Sequence, residues 1–103
     1  MKFFVIERVR NSSSSVSPGD FAKVAADDLR YKLQLMKSRK IVGGGPFLDT
    51  VGDGYIVETE TLEELGEILF GSPANFVVDR EVHPLGTFAD SLEGMEELRK
   101  KPR

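Results

Sequence analysis

The N-terminal segment, residues 2–10, is apolar on both faces of an extended chain, and this feature limits the possible folds more than any other. Its apolar side chains alternate, with Phe3, Val5 and Val9 on one face and Phe4 and Ile6 on the other. Aromatic and β-branched residues also favour a strand here. A strand that is apolar on both sides lies inside a sheet that is covered twice. We therefore predict a central strand.

Helix and strand signals alternate along the rest of the chain. After a polar loop at residues 11–15, Ser17 and Pro18 form a helix start, and apolar residues at three-and-four spacing predict a helix to near Lys40. This apolar stripe consists of Phe21, Val24, Ala25, Leu29, Leu33 and Met36. Residues 41–48 and 55–59 read as strands, with turn residues between them.

The second half of the chain repeats this pattern. A capping box at residues 61–64 starts a second helix, which Gly71 and Pro73 close. Residues 75–83 predict the last strand, ended by Pro84, and residues 91–101 predict a short terminal helix.

The resulting order is β-α-β-β-α-β, which predicts an α+β, ferredoxin-like fold with a four-stranded antiparallel sheet and helices on one face. The 103 residues suffice for one domain, which we place at residues 1–88, followed by a helical tail at 89–103. Because the first strand is apolar on both sides, the other sheet face needs a cover. We predict a homodimer that packs sheet against sheet, with a higher oligomer built from such dimers as the alternative.

Composition excludes several functions. The 14 Lys and Arg against 17 Asp and Glu give a net charge of −3, so we expect no nucleic-acid or membrane partner. The absence of cysteine excludes disulfides and thiol nucleophiles, and a single histidine leaves a metal site short of its usual ligands. The apolar run at residues 3–6 is too short for a signal peptide or membrane span, which predicts a cytoplasmic protein.

Three segments carry a family resemblance. Residues 26–40, residues 61–71 with Ser72-Pro73, and the run Glu81-Val-His-Pro-Leu85 resemble the muconolactone isomerase-like group. That group belongs to the dimeric α+β barrel superfamily, which also holds YCII-like proteins and cofactor-free monooxygenases. The resemblance spans residues 2–88. It implies a small-molecule pocket between the first helix and the sheet, which the partner subunit or its tail helps to close.

The resemblance also implies a chemistry. Muconolactone isomerases move a double bond in a small lactone by proton transfer, without metal or organic cofactor, and their first-helix carboxylate falls at Asp28. The chain departs from the group where Gly43-Gly44-Gly45-Pro46 replaces an aromatic-rich segment. The histidine-aspartate pair of YCII-like proteins is not matched by position.

Two residues are candidates for the base. Asp28 lies at the edge of the apolar stripe, one turn before Lys32; an apolar pocket would raise the pKa of its carboxyl group, and the lysine would lower it. The alternative is an exposed ion pair. Histidine is the residue type whose unperturbed pKa lies near neutrality, and His83 shares a strand face with Glu81, although a lone histidine at a strand end is more often structural.

Five further residues are expected to contact the ligand. They are Glu7, Tyr31, Phe47, Tyr55 and Arg80. Glu7 shares a strand face with Phe3 and Val5, so its burial requires a partner, and Arg80 is the expected one. A structural salt bridge is the alternative role for Glu7, and packing is the alternative for the tyrosines. Residues 43–45 lack the lysine of a phosphate-binding loop and are interpreted as a flexible lip over the pocket.

The predicted function is binding of a small organic molecule beneath the first helix. In the catalytic form of this prediction, a cofactor-independent isomerase uses Asp28 or His83 as base, and Lys32 or a tyrosine stabilises the developing oxyanion. The alternative is a non-catalytic ligand-binding or accessory module that uses the same pocket.

Overall fold

The computed structural model describes residues 1–10 and 17–102, so the predicted loop at residues 11–15 lies outside the described residues. The elements follow the predicted order. They are β1 (Lys2–Val9), α1 (Pro18–Lys37), β2 (Ile41–Pro46), β3 (Gly52–Glu58), α2 (Leu62–Phe70), β4 (Val78–Leu85) and α3 (Phe88–Arg99). No helix among the described residues is long and apolar enough to span a membrane.

The four strands form one antiparallel sheet in the order β2-β3-β1-β4, which confirms the ferredoxin-like prediction and the interior place of β1. The sheet of this chain is open and does not close into a barrel. Its register places Glu7 opposite both Asp53 and Arg80. Successive residues of a strand point to opposite faces of the sheet, and directly paired residues point to the same face. The side chains of Glu7, Asp53 and Arg80 therefore lie on the same face as Phe3 and Val5.

The hydrophobic core lies between that face and the helices. It consists of Phe3, Val5, Ile41, Tyr55 and Val57 from the sheet and Leu65, Ile68 and Leu69 from α2, with Leu35 of α1 packed against it. Phe4, Ile6 and Ile56 alternate onto the opposite face and stay partly exposed. The two-sided apolar pattern of β1 therefore corresponds to one covered face and one that the described helices leave partly open.

The predicted stripe of α1 is wrong in its second half. Leu29, Leu33 and Met36 are about half exposed, while Asp28 is the buried residue of this helix. Compared with the predicted orientation, the helix is rotated about its own axis, because Lys32, one turn after Asp28, bonds to carboxylates on the strands beneath it. Polar contacts thus decide which side of α1 faces the sheet.

Several predicted boundaries also shift. α1 ends at Lys37 and not near Lys40, since Arg39 adopts a positive φ of 61°, a conformation that terminates helices. β4 covers Val78–Leu85 and passes through Pro84, which therefore does not end the strand. An edge strand tolerates proline because one side of it makes no ladder hydrogen bonds. α3 starts at Phe88, capped by the Thr87 side chain, and not at residue 91.

The triple glycine is part of the sheet. Residues 43–45 lie inside β2 and pair with β3, so the interpretation as a flexible lip is wrong. Gly44 has a φ of 107°, and a Cβ atom there would collide with the backbone of Gly54 and Tyr55. These glycines therefore allow β2 to approach β3 closely around a bulge.

Candidate functional site

Lys32 lies at the centre of a buried cluster of charged side chains. Its Nζ atom donates hydrogen bonds to Glu7 Oε1 at 2.6 Å, Asp28 Oδ2 at 2.6 Å and Asp53 Oδ2 at 2.5 Å. The three acids come from β1, α1 and β3, and Glu7 is only 1% exposed. An ammonium group has three N–H donors, so these three bonds use all of them.

Glu7 connects this cluster to Tyr55 on β3 and to Arg80 on the edge strand β4. Its Oε2 atom accepts hydrogen bonds from the Tyr55 hydroxyl at 2.9 Å and from Arg80 Nε at 2.7 Å. Arg80 in turn donates through Nη1 to Asn75 Oδ1 at 2.7 Å. The predicted pairing of Glu7 with Arg80 is therefore confirmed, and it explains how a carboxylate remains ionised in the core.

Asp28 is also bonded through both of its oxygens. Ser72, just after the end of α2, donates its hydroxyl to Asp28 Oδ1 at 2.6 Å, while Lys32 binds Oδ2. The i,i+4 spacing on α1 brings Asp28 and Lys32 together, as the sequence predicts. The pair is buried, which excludes the alternative of an exposed surface ion pair.

The cluster carries more acids than cations. Glu7, Asp28 and Asp53 face Lys32 and Arg80, so the net charge is −1 when all five groups are ionised. Burial raises the pKa of Asp53 to about 6, against the opposing hydrogen bond and charge of Lys32, and the neighbouring carboxylates of Glu7 and Asp28 add to the rise. Asp53 can thus exchange a proton near neutral pH.

Glu7, Lys32 and Tyr55 keep one protonation state around neutrality. Burial alone would raise the pKa of Glu7, but hydrogen bonds and charges from Lys32 and Arg80 outweigh it, and the pKa is lowered. Burial would lower the pKa of Lys32, but its three acidic partners raise it above the ordinary value. Burial and the Glu7 charge raise the pKa of Tyr55.

A cavity of about 310 Å³ lies beside the cluster, between α1 and the sheet, and a smaller one of about 170 Å³ adjoins it. Lys32 and Asp53 line both cavities. The wall of the larger cavity is otherwise mainly apolar, with Phe21, Val24, Ala25, Val51, Val77 and Val78. Within the described part of the chain, Asp53 Oδ1 is buried and has no hydrogen-bond partner.

The three acids also have the spacing of a metal-binding group. One oxygen from each of Glu7, Asp28 and Asp53 lies within 4.8 Å of the others. Lys32 Nζ already bonds to all three residues and supplies a positive charge among them. These carboxylates therefore have an internal counter-ion and do not by themselves indicate a metal centre.

The structure brings most of the predicted site residues together. Asp28, Lys32, Glu7, Tyr55 and Arg80 form the cluster described above. Phe47 lines the larger cavity. The pocket lies between the first helix and the sheet, where the resemblance places it.

Two predicted residues lie elsewhere. The Tyr31 hydroxyl donates to the Ile68 backbone carbonyl at 2.7 Å and so links α1 to α2. His83 is opposite Phe4 in the register and lies on the other face of the sheet from Asp28, exposed and 3.1 Å from Glu81 Oε2. Asp28 and His83 therefore do not share a cavity.

Sequence reasoning missed Asp53, because residues 49–54 were interpreted as a turn. β3 in fact starts at Gly52, so Asp53 alternates with Tyr55 and Val57 onto the core face. Extending the alternation of Tyr55 and Val57 two residues toward the N-terminus places Asp53 on the same face, and this is the sequence signal that identifies it.

Comparisons with known proteins address the fold. No protein-family model matches the sequence, and no curated protein matches it. Among solved structures, muconolactone isomerase superposes with a TM-score of 0.76 at 18% identity, over 84% of this chain and 90% of that one. A second is 5-chloro-2-hydroxyhydroquinone dehydrochlorinase from Burkholderia phenoliruptrix AC1100, in complex with 2,5-dihydroxybenzoquinone. It has a TM-score of 0.64 at 22% identity, over 87% of this chain and 98% of that one. The chain therefore has the muconolactone isomerase-like fold that its sequence predicts.

Proposed function

We propose that this protein is a cofactor-independent enzyme that moves a proton on a small carbonyl or lactone compound held between α1 and the sheet. The observation that carries the proposal is the arrangement at Asp53: a carboxylate that lines an apolar cavity, lies against Lys32, and has one buried oxygen without a hydrogen-bond partner among the described residues. A general base needs a free lone pair within reach of the substrate and a pKa near the working pH.

The first step is proton abstraction by Asp53. The Asp53 carboxylate takes a proton from a carbon next to the substrate carbonyl, so the C–H bond breaks, an O–H bond forms, and the electron pair moves into the carbonyl to give an enolate. In a substrate with a carbon–carbon double bond beside that carbon, the enolate is conjugated with this bond, and return of the proton to the far carbon shifts the double bond while all atoms of the substrate are retained. The pKa of Asp53, raised to about 6, makes it a stronger base than an ordinary aspartate.

Lys32 stabilises the negative charge that the substrate gains. Before the step, three carboxylates share its ammonium group. When Asp53 becomes neutral, that bond weakens, and the positive charge of Lys32 is available to the enolate oxygen. Asp28, Glu7 and Arg80 hold the lysine in place, since both Asp28 oxygens and both Glu7 oxygens are already bonded.

The two structural neighbours support this chemistry. By their names, one is an isomerase of a lactone and the other a dehydrochlorinase of a hydroxyhydroquinone, and both therefore act on small ring compounds. Their likeness to this chain concerns the fold. The proposal itself rests on the geometry of Asp53 and Lys32.

Hydrogen exchange tests the proposal directly. A panel of small lactones and cyclic ketones is incubated with the protein in heavy water, and deuterium incorporation next to the carbonyl is followed by NMR. We expect exchange on at least one compound to exceed the buffer rate by about two orders of magnitude or more, the usual contribution of a positioned base. Binding without any exchange would instead support the non-catalytic module.

We also propose that two copies pack through the open sheet face. Phe4, Ile6 and Ile56 share that face, and covering several hundred Å² of apolar surface would contribute on the order of 10 kcal/mol. Wild-type protein is therefore expected to elute as a dimer at low micromolar concentration. Ile6→Lys is expected to convert it to a monomer in light scattering, whereas Leu33→Lys on the exposed side of α1 leaves it dimeric. A monomeric wild type would contradict the interface.

A further inference from the structure

We infer that α3 is an arm that packs on α1 of a second copy of this chain, with the two helices antiparallel. The inference goes beyond the proposed chemistry, because it names a contact surface and its partner. It uses the proposed sheet-against-sheet dimer, and its experiment distinguishes a failure of the arm from a failure of that dimer.

The helix α3 has an apolar side that nothing in the described chain covers. None of its residues is buried, and Phe88, Leu92 and Met95, here called the α3 row, recur at intervals of four and three residues. Phe88 is 98% exposed, and Leu92 and Met95 are each 62% exposed. The described chain is also elongated, with a Cα radius of gyration of 17.4 Å where a compact chain of this length has about 13 Å. An exposed apolar row of this kind marks a contact surface.

The helix α1 carries a second row of the same spacing. Leu29, Leu33 and Met36, here called the α1 row, also recur at intervals of four and three residues and are about half exposed. This spacing keeps side chains along one side of a helix, where they pack against a second helix with the same repeat. At 1.5 Å per residue, each row is about 10 Å long. The two rows therefore match in spacing and in length.

The charges beside the two rows are opposite in sign. Arg30 and Lys37 each directly follow a residue of the α1 row, and Glu93 and Glu96 each directly follow a residue of the α3 row. Two antiparallel helices are related by a two-fold axis perpendicular to them, so the same flank of each helix meets. The antiparallel orientation thus places acids beside basic residues. The ion pairs that Arg30 and Glu96 make within the single chain are exposed and can be exchanged.

The α1 row of the same chain lies at the opposite edge of the sheet from α3. The helix α3 follows the edge strand β4, whereas residues 44–46 of the other edge strand, β2, line the smaller cavity together with the α1 row. The sheet is about 14 Å across at a strand spacing of about 4.8 Å. Only Gly86 and Thr87 separate β4 from α3, and two residues span at most about 7 Å.

A second copy brings the two rows together. In a sheet-against-sheet dimer with its two-fold axis parallel to the strands, the β4 edge of one copy lies over the β2 edge of the other. The α1 row within reach of α3 is therefore that of the second copy. This row lines the smaller cavity together with Lys32 and Asp53, so the arm covers the outer side of that cavity. One pair of rows is smaller than the roughly 1,200 Å² of a standard interface, so the arm reinforces the sheet contact and does not replace it.

Disulfide cross-linking tests the inference, because the chain has no native cysteine. Leu33→Cys and Leu92→Cys, the central residues of the two rows, are placed on separate chains, one of which carries a tag. The two chains are mixed in urea, refolded together and oxidised gently. Glu97→Cys replaces Leu92→Cys in the control, since residue 97 lies on the opposite side of α3. We expect at least about tenfold more disulfide between tagged and untagged chains than in the control, because a disulfide requires Cα atoms within about 7 Å of each other.

The other outcomes overturn the inference in different ways. Equal yields with Leu92→Cys and Glu97→Cys would show that the arm does not face α1 of the second copy. Disulfides mainly between two Leu92→Cys chains would show that α3 pairs with α3. If one chain with both Leu33→Cys and Leu92→Cys closes a disulfide within itself, α3 folds back on its own α1. A dimeric wild type with any of these results refutes only the arm, whereas a monomeric wild type refutes the proposed dimer and the arm with it.

Discussion

Replacing Lys32 with methionine is expected to lower the free energy of unfolding by about 3–5 kcal/mol at neutral pH, a large part of the roughly 5–15 kcal/mol that stabilises a domain. Methionine keeps the length of the side chain but removes its charge. Glu7, Asp28 and Asp53 would then face one another with most of their surface buried and with only Arg80 as a cation among them. Uncompensated buried charge explains the size of the effect.

Urea unfolding of Lys32→Met and Lys23→Met provides the comparison. Lys23 makes an exposed i,i+4 ion pair with Asp27 on the same helix, so its replacement is expected to change stability by about 0.5 kcal/mol or less. Equal urea midpoints of unfolding for the two variants would show that the buried ion pairs of Lys32 do not stabilise the fold. Adding Asp53→Asn to Lys32→Met is expected to recover part of the loss, because one of the repelling carboxylates is removed.

The pH dependence of Lys32→Met has a definite sign. Without the lysine, the folded state raises the pKa of the clustered acids above their unfolded values, so the folded state binds more protons than the unfolded state. Its stability therefore rises as the pH falls from neutral toward the ordinary carboxyl range. In the wild type, Lys32 has a raised pKa, so its contribution persists at neutral pH and is lost only in strongly alkaline solution.

Local pattern predicts the fold of this chain well. The two-sided apolar pattern of residues 2–10 identifies the interior strand β1, and the capping residues Ser17 and Thr61 identify the starts of α1 and α2. These signals are short in range and arise from backbone geometry, so tertiary contacts do not override them. The missed details depend on topology: Pro84 is tolerated within β4 only because β4 is an edge strand.

The candidate site is predicted in part, for a physical reason. The Asp28–Lys32 pair follows from helical spacing, and the Glu7–Arg80 pair follows from the need to neutralise a buried acid. Neither of these two rules predicts which side of α1 faces the sheet. That orientation depends on Glu7 and Asp53 being adjacent across β1 and β3. The register between strands depends on residues that are far apart in the sequence. In addition, the composition of residues 49–54 is typical of a turn, so the sequence does not assign Asp53 to the core face of a strand.

Replacing Asp53 with asparagine is expected to lower kcat by about 10²–10⁴-fold on any compound whose hydrogen exchange the wild type accelerates, with KM changed by only a few fold. Asparagine is close in shape to aspartate and can still accept the Lys32 hydrogen bond, but it cannot take a proton. The fold is expected to remain intact. Burial raises the pKa of Asp53 from 3.8 to about 6, so between these pH values the folded state binds more protons than the unfolded state. The free energy of unfolding of the wild type therefore falls as the pH rises through this range, and Asp53→Asn, which does not titrate, lacks this decrease.

The pH profile separates Asp53 from Asp28, one of the two bases that the sequence predicts. For wild type, kcat/KM is expected to rise with pH to a plateau, with a midpoint of about 6, since the base must be ionised. Lys32 and Tyr55 have raised pKa values and add no falling limb near neutrality. Asp28→Asn is the matched variant: both oxygens of Asp28 are occupied by Ser72 and Lys32, so we expect reduced activity that still rises with pH. Its midpoint is expected to fall below that of the wild type, because the Asp28 charge is one cause of the raised pKa of Asp53. A profile that loses its rise with pH in Asp28→Asn but keeps it in Asp53→Asn would assign proton abstraction to Asp28.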